Sequence, residues 1–154
     1  MHTLVIIDVQ PVFRAAKSKR IENPILREIK LAKKNKYPII VVEYRKKGPS
    51  WIQSRTCSFV TKELGGNCVY VTKERDDGAS VIVPALRKIT KSKTIRVVGV
   101  NTGACVIETV NGMIRRGYKV QIVADGCNDE YLGSHHETIA QLKKRKITTK
   151  VLRG

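Results

Sequence analysis

The sequence predicts an α/β fold in which helices cover both faces of one parallel β-sheet. Candidate strands such as residues 3–8 and 94–100 are almost wholly apolar rather than alternating, which is typical of strands buried on both faces. Segments with helical patterns separate these strands, as parallel connections require. At 154 residues with 42% hydrophobic content, we treat residues 1–154 as a single domain with a sizeable core.

The first half of the chain is predicted to alternate strands with helical segments. The apolar run at residues 3–8 is interpreted as a strand rather than a signal peptide, because no basic segment precedes it and it ends in Asp8. Asn23 and Pro24 are predicted to cap and open the first helix. The remaining elements of this half are a strand at 39–44, a polar loop holding Trp51, a short segment near Phe59 and a strand at 68–72.

The second half continues the alternation. A helix is predicted around residues 84–90, and the strand at 94–100 follows it. The next helix begins at Thr102 or Gly103 and runs to about Arg116. A strand at 120–124 precedes a helix opened by a capping box of Ser134 and Glu137, and residues 147–152 form the last strand.

The composition limits the function classes. A formal net charge of +17 could hold nucleic acid or an anionic surface, but the basic residues are spread along the chain. Aromatic residues, at 5%, are too few for a base-stacking platform. We therefore favour a solvated basic surface, with nucleic-acid binding at most weak and nonspecific. No apolar run approaches a membrane span, and the four cysteines form no C-x-x-C pair, which favours reduced thiols in a cytoplasm.

Three polar residues stand at predicted strand ends. Asp8 ends the first strand, Lys73 follows the third, and Cys105 follows the fourth at the start of a helix. Ligands of parallel sheets bind beyond the carboxyl ends of the strands. The topology therefore predicts that an acid, an amine and a thiol meet in one crevice.

Three segments carry a resemblance to a known family. "LVIIDVQPVF", "VYVTKE" and "GVNTGACVIETV" resemble the signature segments of the isochorismatase-like cysteine hydrolases, which include nicotinamidases and other amidohydrolases. The most specific part is the spacing of Gly99, Thr102, Cys105 and Val106. The resemblance implies a Rossmann-like three-layer sandwich with a six-stranded parallel sheet in the order 3-2-1-4-5-6.

The resemblance also implies a catalytic triad of Cys105, Asp8 and Lys73. Cys105 would be the nucleophile, with its thiol pKa depressed by the helix start and by Lys73. Asp8 would take the thiol proton and return it to a leaving amine. The backbone N–H groups of Asn101 and Cys105 would form the oxyanion hole, beside a cis peptide at Val100–Asn101. Each of the triad residues taken alone could equally be structural.

Further residues are assigned to the pocket or excluded from it. Gln10, Phe13 and Trp51 are predicted to bind substrate, although Phe13 could equally pack in the core and a tryptophan in a loop, such as Trp51, more often covers core. Asp76 and Asp77 could face the pocket or solvate a turn.

No metal site or cofactor is predicted. The segment after the second strand contains none of the histidines that metal-binding nicotinamidases carry there. His135 and His136 are interpreted as surface or cap residues, and Cys127 as structural.

These inferences favour hydrolysis of a C–N bond, amide or carbamoyl, in a small molecule by a homo-oligomeric enzyme. Two alternatives stay open: a family member that binds a small molecule without turnover, and a basic interaction protein holding nucleic acid or an acidic partner on the same fold.

Overall fold

The computed structural model describes residues 1–46, 48 and 54–150, and the predicted parallel α/β fold is confirmed. Six parallel strands lie in the order β3-β2-β1-β4-β5-β6. Their bounds are Thr3–Ile7 (β1), Ile39–Tyr44 (β2), Val69–Lys73 (β3), Thr94–Val100 (β4), Lys119–Asn128 (β5) and Thr148–Lys150 (β6). Trp51 lies outside the described residues.

In the described residues five α-helices connect the strands, with one helix between each pair of strands that are consecutive in the chain. They are Glu22–Lys34 (α1), Ser58–Leu64 (α2), Ala79–Ile89 (α3), Ile107–Arg115 (α4) and Leu132–Lys144 (α5). Short 3-10 turns at Arg14–Lys17 and Lys19–Ile21 precede α1, and a π-helical turn at Thr102–Val106 precedes α4. In the part of the chain that the structure describes, none of these helices has the length and apolarity to cross a membrane.

Alternate residues of β1 serve two cores. Val5 and Ile7 pack in one core with α3, α4 and α5, whereas Leu4 and Ile6 pack in the other with α1 and α2. All four side chains are fully buried. The sheet is therefore covered on both faces, which explains why its strands are apolar throughout.

Three predicted helix starts are wrong. Helix α1 begins at Glu22, so Asn23 and Pro24 lie in its first turn and do not cap it. Helix α3 begins at Ala79 rather than near residue 84, because the Gly78 N–H donates to the Thr109 hydroxyl of α4 at 2.9 Å and fixes this end.

Helix α5 begins at Leu132, two residues before the predicted capping box of Ser134 and Glu137. Its first turn forms around Tyr131, whose carbonyl accepts from the His135 N–H, and no side chain caps it. Of these three starts, that of α3 is fixed by both a tertiary bond from Gly78 to Thr109 and a local bond from the Ala79 N–H to Asp77.

Gly99 allows β4 to approach β1 beside the predicted site. It pairs with Ile7 and has a φ of +140°, and a Cβ at this position would meet the Ile7 carbonyl oxygen. Only glycine fits both the backbone conformation and the space. Because Ile7 precedes Asp8 and Gly99 lies shortly before Cys105, this close approach helps to set the distance between those two residues.

We expect Gly99→Ala to destabilise the fold by more than about 4 kcal/mol, because the added methyl group meets backbone that cannot move aside. Gly117→Ala is the matched control: Gly117 also has a positive φ, +84°, but nothing lies within 4 Å of the position that an added Cβ would take. Gly117→Ala should lower the free energy of unfolding by about 1–2 kcal/mol. Urea unfolding of both variants measures the difference, and equal losses would contradict the role given to Gly99.

Candidate active site

The structure brings Asp8, Lys73 and Cys105 together at the carboxyl edge of the sheet. Lys73 Nζ lies 2.9 Å from Asp8 Oδ2, and the Asp8 charge acts on the Cys105 thiol, whose hydrogen bond runs to Asp76 Oδ1 at 3.7 Å. All three residues are buried. Asp8 has a φ of 55°, a left-handed conformation that is uncommon for residues other than glycine and that turns the chain directly after β1.

The Lys73 ammonium group has a partner for each of its three N–H bonds. Besides the Asp8 carboxylate, it donates to the carbonyls of Arg75 at 2.9 Å and Asp76 at 3.1 Å. The ammonium also lies 4.6 Å from the centre of the Tyr44 ring, where a cation–π contact adds to these bonds. Its position and orientation are thus fully determined by the surrounding chain.

The predicted depression of the Cys105 thiol pKa is wrong. Burial, then the negative charge of Asp8, raises the pKa of the Cys105 thiol to about 12, and Lys73 only partly opposes the increase. The thiol lies in the π-helical turn before α4, and Asp76 Oδ1 is 3.7 Å from its sulfur. Desolvation and two nearby carboxylates outweigh the helix start and the ammonium, so the thiol is protonated at neutral pH.

The Asp8 carboxyl is suited to accept a proton. Burial raises its pKa above the ordinary value of 3.8, and the ion pair and hydrogen bond with Lys73 hold it down. A carboxylate of raised basicity in contact with a neutral thiol is the arrangement required for general-base activation. A resting ion pair between a Cys105 thiolate and the Lys73 ammonium does not fit these observations, because the ammonium is already paired with Asp8.

The predicted substrate-binding residues differ in their surroundings. Gln10 is fully buried, and its amide accepts from the Tyr44 N–H at 2.6 Å and donates to the carbonyls of Tyr44 and Ser54. These bonds favour a structural role, tying the end of β1 to the end of β2 and the chain beyond it. Phe13 is half-buried, with its ring 6.1 Å from the Tyr44 ring, and it remains a candidate pocket residue.

The two aspartates after Lys73 have different surroundings. Asp76 is exposed and reaches the Cys105 sulfur. Asp77 instead accepts from the Ala79 N–H at 2.8 Å and lies 3.5 Å from Arg115. Asp76 therefore adds negative charge to the site, whereas Asp77 supports the start of α3.

His135 is a buried residue that the sequence interpretation placed at the surface. It is 4% exposed, and its Nδ1 shares a 2.8 Å hydrogen bond with the Thr102 hydroxyl. Burial, with Arg20 nearby, lowers the pKa of His135 to about 4, so the imidazole is neutral and ties α5 to the turn that holds Cys105. The spacing of His135 from buried Ile139 and Leu142 on one face of α5 is the signal that could have located it. His136 is exposed, as predicted.

Asn101 lies between β4 and the π-helical turn. The peptide bond Val100–Asn101 is cis, and the Asn101 carbonyl accepts from the N–H groups of Ala104 and Val106 at 3.1 Å. Cys127 is fully buried, with its sulfur 3.9 Å from the Val97 carbonyl, which agrees with a structural role. Over the described ranges 1–46 and 54–150, no three His, Cys, Asp or Glu side chains gather as metal ligands would.

Residues 2–152 match the isochorismatase domain. The chain belongs to the isochorismatase family. Isochorismatase domain-containing protein 2 of Xenopus laevis is 28% identical over 131 residues, which cover 81% of this chain and 59% of that relative. This isochorismatase-family chain thus spans about three fifths of the curated relative that it matches.

Solved structures show the same isochorismatase-family fold. The nicotinamidase SaPncA from Staphylococcus aureus superimposes with a TM-score of 0.86 at 19% identity, over 99% of this chain and 98% of that one. The MAR1 ribonuclease from Caenorhabditis elegans gives a TM-score of 0.83 at 22% identity, over 97% of this chain and 76% of that one. At these identities the likeness establishes the fold alone.

We expect Asp76→Asn to lower the Cys105 thiol pKa, because it removes a negative charge that disfavours the thiolate. Alkylation of Cys105 by iodoacetamide, followed peptide by peptide with mass spectrometry, should become several-fold faster at a fixed pH below the wild-type pKa.

Asp77→Asn is the matched control, since it removes the same charge from the neighbouring residue, which pairs with Arg115 away from the thiol. It should leave the rate unchanged. A similar acceleration in both variants would show that Asp76 has no specific influence on Cys105.

Proposed function

We propose that the chain is a cysteine-dependent hydrolase that cleaves the C–N bond of a small amide or carbamoyl compound. The observation that carries the proposal is the buried cluster of three side chains, in which the Asp8 carboxylate pairs with the Lys73 ammonium at 2.9 Å and its charge acts on the Cys105 thiol. Such chemistry requires a nucleophile, a base and a group that positions the base, and Cys105, Asp8 and Lys73 can supply them in that order. The nicotinamidase named among the structural relatives supports an amide as the substrate class.

In the proposed first half-reaction, Asp8 accepts the proton of the Cys105 thiol while the sulfur attacks the carbonyl carbon. The carbonyl π electrons move to oxygen, and the backbone N–H groups of Asn101 and Cys105 are the proposed donors to that oxyanion. Asp8 then gives the proton to the departing nitrogen, the C–N bond breaks, and an amine or ammonia leaves. The acyl group remains on Cys105 as a thioester.

In the second half-reaction, Asp8 accepts a proton from water as the water oxygen attacks the thioester carbon. The C–S bond breaks, the sulfur takes the proton back, and a carboxylic acid is released. Lys73 acts throughout as a positioning residue, because its charge keeps Asp8 ionised against the effect of burial. No step in this sequence requires a metal, and metal independence stays a prediction.

We also propose that the chain forms a homo-oligomer. Strand β3 is an edge of the sheet, with Val69 and Tyr70 37% and 40% exposed, and unpaired edges with apolar side chains favour association. The Escherichia coli YcaC product, described as an octameric hydrolase, shares the fold with a TM-score of 0.80 at 17% identity, covering 97% of this chain and 74% of that one.

The test is turnover of a panel of small amides, carbamoyl compounds and ureides. Cys105→Ala should abolish turnover of any active compound, and Asp8→Asn should reduce it by at least about a hundredfold, because the amide cannot accept the thiol proton. Cys57→Ala is the control, since Cys57 lies at the start of α2 and should be dispensable.

Rapid quenching followed by mass spectrometry should detect the acyl group on Cys105 if hydrolysis of the thioester is slow. Full turnover by Cys105→Ala would contradict the proposal. Binding of panel compounds without turnover would favour the alternative of a non-catalytic binding protein. The panel includes a short RNA, because one structural relative is named a ribonuclease.

A further inference from the structure

We propose that the amino edge of the sheet, opposite Cys105, binds the phosphodiester backbone of nucleic acid. The proposal is independent of the hydrolase reaction. Because every helix precedes a parallel strand, all five α-helices end at this edge, where the strands begin. Each of them carries a basic residue in its last turn: Lys33, Lys62, Arg87, Arg115 and Lys143. The Arg115 guanidinium lies 3.5 Å from Asp77, so we do not count it in the charge of this edge.

The turns that lead from these helices into the strands add further positive charge. Lys36 precedes β2, Lys93 precedes β4, Lys119 begins β5 and Lys146 precedes β6, and all four are exposed. In the segments 33–38, 62–68, 87–93, 115–119 and 143–148 the one acidic residue is Glu63. The amino edge is therefore strongly positive.

Acidic residues lie at the other edge of the sheet. Asp8, Asp76 and Asp77 follow β1 or β3, and Asp129 and Glu130 follow β5. The molecule thus has a basic amino edge and a carboxyl edge at which acidic and basic residues are mixed. An anionic polymer is drawn to the amino edge and away from the Cys105 site.

Two cavities at the amino edge share Tyr118 in their linings, and together we call them the Tyr118 groove. One, of about 270 Å³, is lined by Tyr118, Arg87, Lys91 and Lys93, and the other, of about 310 Å³, by Tyr118, Lys119 and Lys146. Tyr118 separates the two cavities, and the Lys93 ammonium lies 4.6 Å from the centre of its ring, where a cation–π contact holds the ring in place. Exposed cations therefore line two neighbouring depressions.

Thr90 and Ser92 also line the groove, although the Ser92 hydroxyl donates to the Met1 carbonyl at 3.0 Å and would have to exchange that bond to contact a phosphate. Phosphate oxygens are commonly contacted by Lys and Arg together with Ser and Thr hydroxyls. A chain of phosphates can enter open depressions of this kind and contact cations along them, whereas a planar membrane contacts only the exposed ends of these side chains. This shape favours nucleic acid over an anionic lipid surface as the partner.

Basic residues in the last turn of a helix are also explained by the helix dipole, which they stabilise. That explanation does not extend to Lys91, Lys93, Lys119 and Lys146, which lie beyond the helix ends. The sequence analysis favoured a solvated basic surface because these lysines are far apart in the chain. The parallel topology gathers them at one edge.

The experiment measures binding of a fluorescent single-stranded RNA and of a DNA duplex of unrelated sequence, by anisotropy over a range of salt concentrations. The groove variant Lys91→Glu/Lys119→Glu is compared with Arg14→Glu/Lys17→Glu, which makes the same change in net charge at exposed positions on the opposite edge. Iodoacetamide labelling of Cys105 shows whether both variants retain the native site.

The wild-type protein should bind both nucleic acids without sequence preference and with steep salt dependence. The groove variant should bind at least about tenfold more weakly, with a salt slope smaller by about 2, because two phosphate contacts are lost. The control variant should lose only a few-fold in affinity.

Equal losses in the two variants would overturn the proposal, because net charge alone would then explain the binding. Absence of binding at low salt would also overturn it, as would retention on anionic vesicles without binding to either nucleic acid. If the groove variant loses nucleic-acid binding but Cys105 is labelled at the wild-type rate, the candidate active site is intact. The binding proposal and the hydrolase proposal are thereby tested independently.

Discussion

The ion pair between Lys73 and Asp8 is the interaction on which the candidate site depends. Both residues are at least 97% buried, and a buried charge that loses its partner destabilises a protein by about 3–5 kcal/mol. The pair joins the ends of β3 and β1 across β2, and the carbonyls of Arg75 and Asp76 complete the bonding of the ammonium group. The charges of Asp8 and Lys73 are therefore compensated only when the fold places the ends of β1 and β3 correctly on either side of β2.

The thiol owes its properties to the same pair. Burial is the largest cause of the raised pKa of the Cys105 thiol, the anionic Asp8 raises this pKa further, and Lys73 opposes the increase in part. In the proposed reaction the thiol is therefore neutral at rest, and proton transfer to Asp8 accompanies its attack on the substrate. A site of this kind protects the cysteine from adventitious alkylation and oxidation, because the thiolate is the reactive form.

Much of this arrangement could be predicted from the sequence, because strand ends in a parallel sheet share an edge. Asp8, Lys73 and Cys105 were identified by that rule and by the family resemblance. The thiol pKa could not be predicted, since it depends on burial and on Asp76, whose side chain reaches the sulfur only in the folded chain. The burial of His135 was missed because its partner, Thr102, is distant in sequence. The basic amino edge was missed for a similar reason, because the helix ends converge only in three dimensions.

The most direct test of the central claim is an NMR titration of the Asp8 carboxyl carbon in the wild-type protein and in Lys73→Met. The wild-type midpoint should lie above the ordinary value of 3.8, because burial raises the pKa of Asp8. In Lys73→Met the midpoint should rise further, because the positive charge that lowers this pKa is gone. A wild-type midpoint at or below 3.8, or one that Lys73→Met leaves unchanged, would contradict the account of Asp8 as a base held ionised by Lys73.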